Sequence, residues 1–334
     1  MNGKLSEIVA RFPDVTVGVV GDMAADVYVY AAASRLSREA PVMVARHEQD
    51  EVIPGCAANT VLNVVALGGS VRPFGVLGRD PEGLAITERL TGSRVGLDGL
   101  IESASWKTIS KTRILVGAFH RSKQQVLRLD REPSADPEPP VVDAVLDRIA
   151  RARDDVDVWI VSDYGYGLVT SDIYEALLAT RRPVVVDSRF RLLEFPRAAI
   201  VTPNEDEAGD AVRREIKTAE DCRYAGREIQ AKLGCGAVLV TRGNEGMALF
   251  TEDDLDGDFI PITGSDEITD NTGAGDTVAA TLALALAAGA TPGEAMRLAN
   301  HAAGVAVMKA GAATLGPDEL LDSVSRAGRP EEDA

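Results

Sequence analysis

Cysteine, histidine and aromatic residues are all scarce in this chain of 334 residues. The three cysteines, Cys56, Cys222 and Cys235, are odd in number, far apart and without a CxxC pair. Neither a disulfide framework nor a structural zinc site is therefore expected, and a reducing cytoplasm is the natural compartment. No histidine lies near Cys56 in sequence, since the three are His47, His120 and His301, so Cys56 reads as a small apolar filler and not a nucleophile. Positive charge is also short: 35 basic against 52 acidic residues give a formal charge of -17, which excludes nucleic acid and anionic membrane as default partners. The most apolar stretch, Thr277 to Ala290, is shorter than the roughly 20 residues a membrane span needs, and MNGKLSEIVARFPD has no apolar signal core. The chain is expected to be neither secreted nor membrane-embedded. A GxxxxGK[ST] loop is missing too, which excludes a P-loop enzyme.

What is present is apolar material enough for a core, with 45% hydrophobic and 26% charged residues. Short Val- and Ile-rich runs recur with helical segments between them: Val15 to Val20, Val156 to Val161, Pro183 to Val186, Ala199 to Val201 and Ala237 to Val240. That alternation predicts an α/β fold with a parallel sheet. Each run ends in a polar or glycine cluster, namely GDMAAD, SDYGYG, DSRF, TPNEDE and TRGNEG. Ligands of open α/β sheets sit at that edge, so five loops should converge on one rim.

From about Val27 to Leu129 the pattern changes, because Pro41 to Ala45, Lys111 to Gly117 and Gln124 to Leu129 are β-rich without a helix after each. This predicts an appended antiparallel sheet acting as a lid. Within it, Ala57 to Leu67 has helical spacing and stops at Gly68-Gly69, which brings Gly55 to Asn59 to a helix start. EPSADPEPP, from Glu132 to Pro140, reads as a loop and not a domain boundary.

The sharpest local signal is Asp270-Asn271-Thr272-Gly273-Ala274-Gly275-Asp276-Thr277 ahead of a small-residue helix. Small residues at a helix start leave backbone N–H groups open to an anion. Asp276 cannot bind phosphate itself but can take a proton from a hydroxyl that attacks one, which is a kinase arrangement. The bland alternative is that Asp276 only caps the helix. Asp22 and Asp26 follow the first strand and suit a polyol, or cap the next turn. Asn59 offers a donor and an acceptor to sugar hydroxyls, with helix capping as its alternative. Asn204 and Glu207, three apart, could hold hydrated magnesium, although acidic residues are favoured at any helix start.

Taken in this order, the strand-end aspartates, the glycine–Asn segment, NxxE, TRG and the late GAGD resemble the ribokinase/PfkB carbohydrate kinases over almost the whole chain. SRLSREAPVMVA, PGCAANTVLNVVALGG, KTRILV with QQVLRLDRE, SDYGYG and NTGAGDT most resemble the heptose 7-phosphate kinases of that family, the kinase half of a kinase/adenylyltransferase. The resemblance implies a three-layer α/β/α sandwich in one domain, residues 1–334, with lid strands drawn from about 27–47 and 107–130. It implies ATP-dependent phosphorylation of the anomeric hydroxyl of heptose 7-phosphate, with Mg2+ and a monovalent cation such as K+. The chain stops before an adenylyltransferase half, which is expected on a separate chain.

Carried over by position, Asp276 would be the general base, and Gly273, Ala274 and Gly275 an anion hole. Asp22, Gly55 and Asn59 would contact the sugar, Asn204 and Glu207 organise magnesium, and Thr241, Gly243, Gly246 and Asn300 line the nucleotide. Asp270 and Thr272 match a monovalent-cation loop. A sugar phosphate also needs a cation, for which Arg35, Arg38, Lys111, Arg113, Arg121, Lys123 and Arg189 are candidates. Cys56 departs from the family's second glycine and adds a side chain against the sugar. Asp187-Ser188-Arg189-Phe190 departs from its DPKG-like loop, which places Asp187 and Arg189 where the acceptor should bind. Another phosphosugar or nucleoside, or a binding protein without turnover, therefore stays open. Exposed lid strands also predict a homodimer.

Overall fold

The computed structural model describes residues 2–93, 95–117, 123–264, 271–309 and 311–326. The chain opens with α1 (Asn2–Val9) and β1 (Thr16–Gly21), then a pair of long strands, β2 (Met23–Leu36) and β3 (Met43–Cys56). There follow α2 (Ala57–Ala66), β4 (Ser70–Gly78), α3 (Pro81–Gly92), β5 (Leu100–Ser103), β6 (Ile109–Gly117) and β7 (Gln124–Arg131). Next come α4 (Pro139–Ala152), β8 (Val158–Asp163), α5 (Ser171–Ala179), β9 (Val184–Ser188), β10 (Ile200–Val201), α6 (Glu205–Val212) and α7 (Ala219–Leu233). The last elements are β11 (Ala237–Thr241), β12 (Met247–Thr251), β13 (Asp258–Ile260), α8 (Ala274–Ala287), α9 (Pro292–Ala306) and α10 (Pro317–Arg326).

Nine strands form the main sheet in the order β13-β12-β11-β10-β9-β8-β1-β4-β5, parallel except at the β12 and β13 edge. Its strands are apolar on both faces because helices cover both. Val158 and Ile160 of β8 face one core with α1, α2, α8, α9 and α10, whereas Trp159 and Val161 face the other with α4, α5 and α7. Gly18 of β1 is glycine because a Cβ there would collide with the Trp159 ring. Helix starts follow local chemistry: Thr170, Thr218 and Thr291 cap α5, α7 and α9 through their side chains. No helix among the described residues is long and apolar enough to cross a membrane.

The second sheet has the order β3-β2-β6-β7 and stands over the rim. Two expectations need correction. The lid is mixed, since β2 and β6 run parallel while β2–β3 and β6–β7 are antiparallel. The segment between Val27 and Leu129 is also not all lid: β4, α3 and β5 lie inside it and belong to the main sheet, β4 pairing with β1. Arg72 and Pro73 interrupt the apolar run of β4, which hides a buried strand from pattern reading.

Candidate active site

Helix α8 begins at Gly273, whose φ of 80° is a left-handed conformation that costs glycine little. A Cβ at Gly273 would also meet the Asn59 amide. The first turn carries Ala274, Gly275 and Asp276, with N–H groups at the positive end of the helix dipole. Asp276 is buried and does not cap its own helix. Its carboxylate instead reaches α2, where Asn59 Nδ2 donates to Oδ2 at 2.7 Å and Thr60 Oγ1 to Oδ1 at 2.8 Å. Tyr164, in the loop after β8, donates its hydroxyl to the same Oδ1 at 3.3 Å. A second layer fixes this register: Thr277 Oγ1 donates to Asn63 Oδ1 at 2.8 Å, and Asn63 Nδ2 to the Asn59 carbonyl at 3.0 Å.

Burial raises the Asp276 carboxyl to about 6, against the pull of those three hydrogen bonds. It is ionised at neutral pH yet basic enough to take a proton, the condition a general base must meet. Burial, then the Asp276 charge, holds the Tyr164 hydroxyl well above its ordinary range, so it remains a donor. Asn59 thus donates to Asp276, and its capping alternative is excluded because Cys56 occupies the cap position of α2.

Under the lid, a cavity of about 600 Å³ is lined by Lys111, Arg113, Arg128, Tyr164, Tyr166 and Arg189 among others. Asp22 follows β1 and is buried; its Oδ2 accepts from the backbone N–H groups of Tyr164 and Tyr166 at 2.9 and 3.2 Å. Its Oδ1 is buried with no partner among the described residues, and burial raises the carboxyl to about 6. A buried carboxylate oxygen without a donor is what a ligand hydroxyl would satisfy. Asp26 is ion-paired to Arg113, and a Cβ at Gly55 would run into the Asp26 carboxylate, which explains that glycine.

Cys56 sits at φ 52° and ψ -133°, a region open in practice only to glycine, which costs on the order of 1–3 kcal/mol. Its buried thiol, raised to about 12 by burial, lies 3.2 Å from Lys111 Nζ. Lys111 is also 4.8 Å from the Tyr164 ring centroid.

The basic candidates now separate. Arg113 is neutralised by Asp26, Lys123 pairs with Glu48, Arg35 is exposed at the end of β2 and Arg38 on the turn after it, and Arg121 lies outside the described residues. Among the described residues Lys111 and Arg189 make no ion pair with a carboxylate, and both line the cavity.

Two further cavities follow, the first sharing Tyr164 and Arg189 with this one and the second sharing Thr241, Gly243 and Gly275 with the first. The first, about 440 Å³, is lined by Asp163, Tyr164, Asp187, Arg189, Asn204, Glu207, Thr241 and Gly275 among others. Asp187 belongs here, with its Oδ2 3.8 Å from where a Cβ on Gly275 would be, and not in the lid cavity. Arg189 is shared by both. Asn204 and Glu207 form a reciprocal capping box on α6, Asn204 Oδ1 accepting from the Glu207 N–H at 2.8 Å and Glu207 Oε2 from the Asn204 N–H at 2.9 Å. Burial raises the Asp187 carboxyl well above its ordinary value and the Glu207 carboxyl less far, each helped by neighbouring carboxylates and Glu207 opposed by Arg189.

The second cavity, about 260 Å³, is lined by Thr241, Gly243, Gly246, Met247, Ile262, Val278, Asn300 and Val307 among others. Asn300 Nδ2 donates to the Pro261 carbonyl at 2.8 Å and to Thr263 Oγ1 at 2.9 Å, so it shapes the wall more than it offers a free donor. Gly246, at φ 89°, is required because a Cβ would enter the Ile260–Ile262 backbone. Thr272 precedes Gly273 at the same turn, and Asp270 lies outside the described residues.

Tyr164 and Thr60 escaped sequence reading. SDYGYG marked the loop but not which side chain turns inward, and Thr60 is one step from Asn59 with nothing in the sequence pointing it across to α8.

The profile of the pfkB family carbohydrate kinases matches residues 171–319. The bifunctional protein HldE of Geotalea uraniireducens (strain Rf4) is 37% identical over 337 residues, covering 99% of this chain and 67% of that protein. The chain spans about two thirds of the length of such relatives, 65% for the HldE of Citrifermentans bemidjiense. The ribokinase of Arabidopsis thaliana, solved with ribose and ATP, superposes with a TM-score of 0.72 at 21% identity, covering 93% of this chain and 98% of that one. With a central mostly parallel sheet, a lid sheet and an Asp at the start of α8, the chain belongs to the PfkB family of carbohydrate kinases, in the ribokinase-like fold.

Proposed function

We propose that this chain phosphorylates a sugar phosphate with ATP, and that heptose 7-phosphate is the acceptor, converted to the 1,7-bisphosphate. The observation that carries the reading is the buried Asp276 carboxylate in the first turn of α8, held by Asn59, Thr60 and Tyr164, with Tyr164 on the wall of both the lid cavity and the cavity at the start of that helix. The acceptor hydroxyl gives its proton to Asp276 and attacks the terminal phosphorus of ATP in line, while ADP leaves. Backbone N–H groups at Gly273, Ala274 and Gly275 stabilise the migrating phosphoryl group. Asp22 accepts from a sugar hydroxyl through Oδ1, and Lys111 with Arg189 holds the distal phosphate. The likeness of SRLSREAPVMVA and QQVLRLDRE to the heptose 7-phosphate kinases supports the heptose.

Magnesium fits the phosphate cavity through water. Among the described residues no group of three or more His, Cys, Asp or Glu could hold a metal directly, and both Asn204 and Glu207 are engaged with each other. Yet Asp187 and Glu207 face a region that must take a polyphosphate, and hydrated Mg2+ suits such oxygen donors and relieves their repulsion. Bound there it would neutralise charge on the phosphates. A monovalent cation near Thr272 belongs to the same proposal.

A second reading, a PfkB-type kinase for another phosphosugar, is favoured by Cys56, whose side chain stands where acceptor size is felt. A binding protein without turnover is disfavoured by the intact base and its donors. ADP release with Mg-ATP and a panel of heptose 7-phosphate, sedoheptulose 7-phosphate, fructose phosphates and ribose tests all three: a rate confined to heptose 7-phosphate is expected, a rate with another acceptor moves the substrate, and ATP binding without turnover on any removes the kinase reading.

The lid also exposes Leu36, Val126, Leu127 and Leu129, which fits a second copy of the chain. Leu127→Lys with Leu129→Lys should convert a dimer to a monomer in light scattering.

A further inference from the structure

Asp276 is held before any acceptor arrives. A carboxylate has about four lone-pair sites. Thr60 and Tyr164 hydroxyls fill both sites of Oδ1, while among the described residues Oδ2 accepts only from Asn59. Thr60 is fully buried on α2, whose register against α8 is locked by Thr277 to Asn63. A threonine one residue along from a wholly polar contact is otherwise an odd choice for a buried helix face, since the same shape without the hydroxyl would pack as well.

Resting on the base assignment made above, we propose that Thr60 is a positioning residue of the transfer reaction: its hydroxyl, with that of Tyr164, saturates Oδ1 of Asp276 and leaves Oδ2 as the atom that takes the proton. In the step, the acceptor O–H bond breaks and its proton goes to Oδ2. The acceptor oxygen forms a bond to the terminal phosphorus, and the bond from that phosphorus to the bridging oxygen breaks, its electron pair leaving on ADP.

Other groups facing Asp276 are Asp26 from β2, Asp187 from β9, the Cys56 thiol at the cap of α2, and Lys111 from β6 beyond that thiol. Thr60→Val leaves all of them in place and removes one donor to the ionised base.

The test compares Thr60→Val, Thr60→Ser and Asp276→Asn with the parent chain in two ways. The first is the pH profile of kcat/KM with Mg-ATP and heptose 7-phosphate. A hydrogen bond to a charged group is worth enough to move a titration by about one pH unit. Thr60→Val should therefore lose about fivefold at pH 6 and almost nothing at pH 8, and Thr60→Ser should restore the parental limb. The second needs no acceptor: urea unfolding between pH 4 and 8. Folding stability falls as Asp276 ionises in the folded chain, and in Thr60→Val its share of that fall should extend about one pH unit higher, whereas Asp276→Asn should keep only the share of Asp22. An unshifted limb in both measurements, an equal loss at every pH, or a Thr60→Ser variant that behaves like valine would overturn the inference. Full turnover by Asp276→Asn would instead overturn the base assignment itself.

Discussion

In the main sheet every residue of β8 is buried, while in the lid all but one of the eight residues of β7 are exposed. β8 and β7 are of similar length and serve opposite ends. In the first, continuous apolar runs between two helical layers set the frame and bring five loops to one rim. In the second, β7 and most of β3 are exposed, whereas β2 is buried over its first residues and β6 is half-buried, as in a small sheet with open edges. The difference divides the chemistry as well. Asp276, its donors and the first turn of α8 are rooted in the buried frame, and Lys111, which makes no ion pair among the described residues, belongs to the lid.

That division can be broken most sharply at Asp276. Asp276→Asn should lower kcat by about 10²- to 10⁴-fold with the KM for ATP little changed, measured by ADP release. The same variant should unfold at a higher urea concentration than the parent at pH 8, because burial costs the ionised carboxylate free energy that a neutral amide avoids. Frame residues would then govern turnover and work against stability.

The pH profile follows with about a hundredfold effect. Asp22 and Asp276 both titrate near 6 in the folded chain, above an exposed aspartate at about 3.9. Both must be ionised to accept protons or hydroxyls, so kcat/KM should fall about a hundredfold from pH 7 to pH 5, with a limiting slope near two. The linkage has the opposite sign: the folded chain binds these protons more tightly than the unfolded one, so stability is full below about pH 4 and declines as pH rises through 6. A slope of one in Asp22→Asn would assign the second proton.

A change on the lid should act on binding alone. Lys111→Ala is expected to raise the acceptor KM about 10- to 100-fold, as loss of a charge-assisted contact to phosphate does, with kcat and the KM for ATP nearly unchanged. A kcat effect of equal size would show that the lid and the frame are not separate. The smallest effect is expected at their border. Cys56→Gly relieves a backbone conformation costing on the order of 1–3 kcal/mol and gives back part of it in chain entropy, a net stabilisation of about 1 kcal/mol in urea unfolding.

The frame was more legible in the sequence than the lid for the same physical reason. Buried parallel strands such as Val156 to Val161 must be apolar throughout, and they announce themselves, whereas β3 begins in MVARHEQDE, whose exposed residues carry no period. GAGD pointed to Asp276 because glycine at a helix start has a backbone cause visible in one dimension. Thr60, Tyr164 and the pairing of Asp26 with Arg113 were not legible, because each depends on which way a side chain turns between elements distant in sequence. The capping box of Asn204 and Glu207 shows the converse, a local pattern whose first duty is to its own helix.

Strand β3 ends at Cys56 and helix α2 begins at Ala57, with no loop between them. The strand is lid and the helix carries Asn59 and Thr60, so a single residue is the axle between the cover and the clamp on the base. Any change in the path of that strand would therefore reach the two side chains that hold the Asp276 carboxylate through one residue, Cys56, and no loop lies between to absorb it.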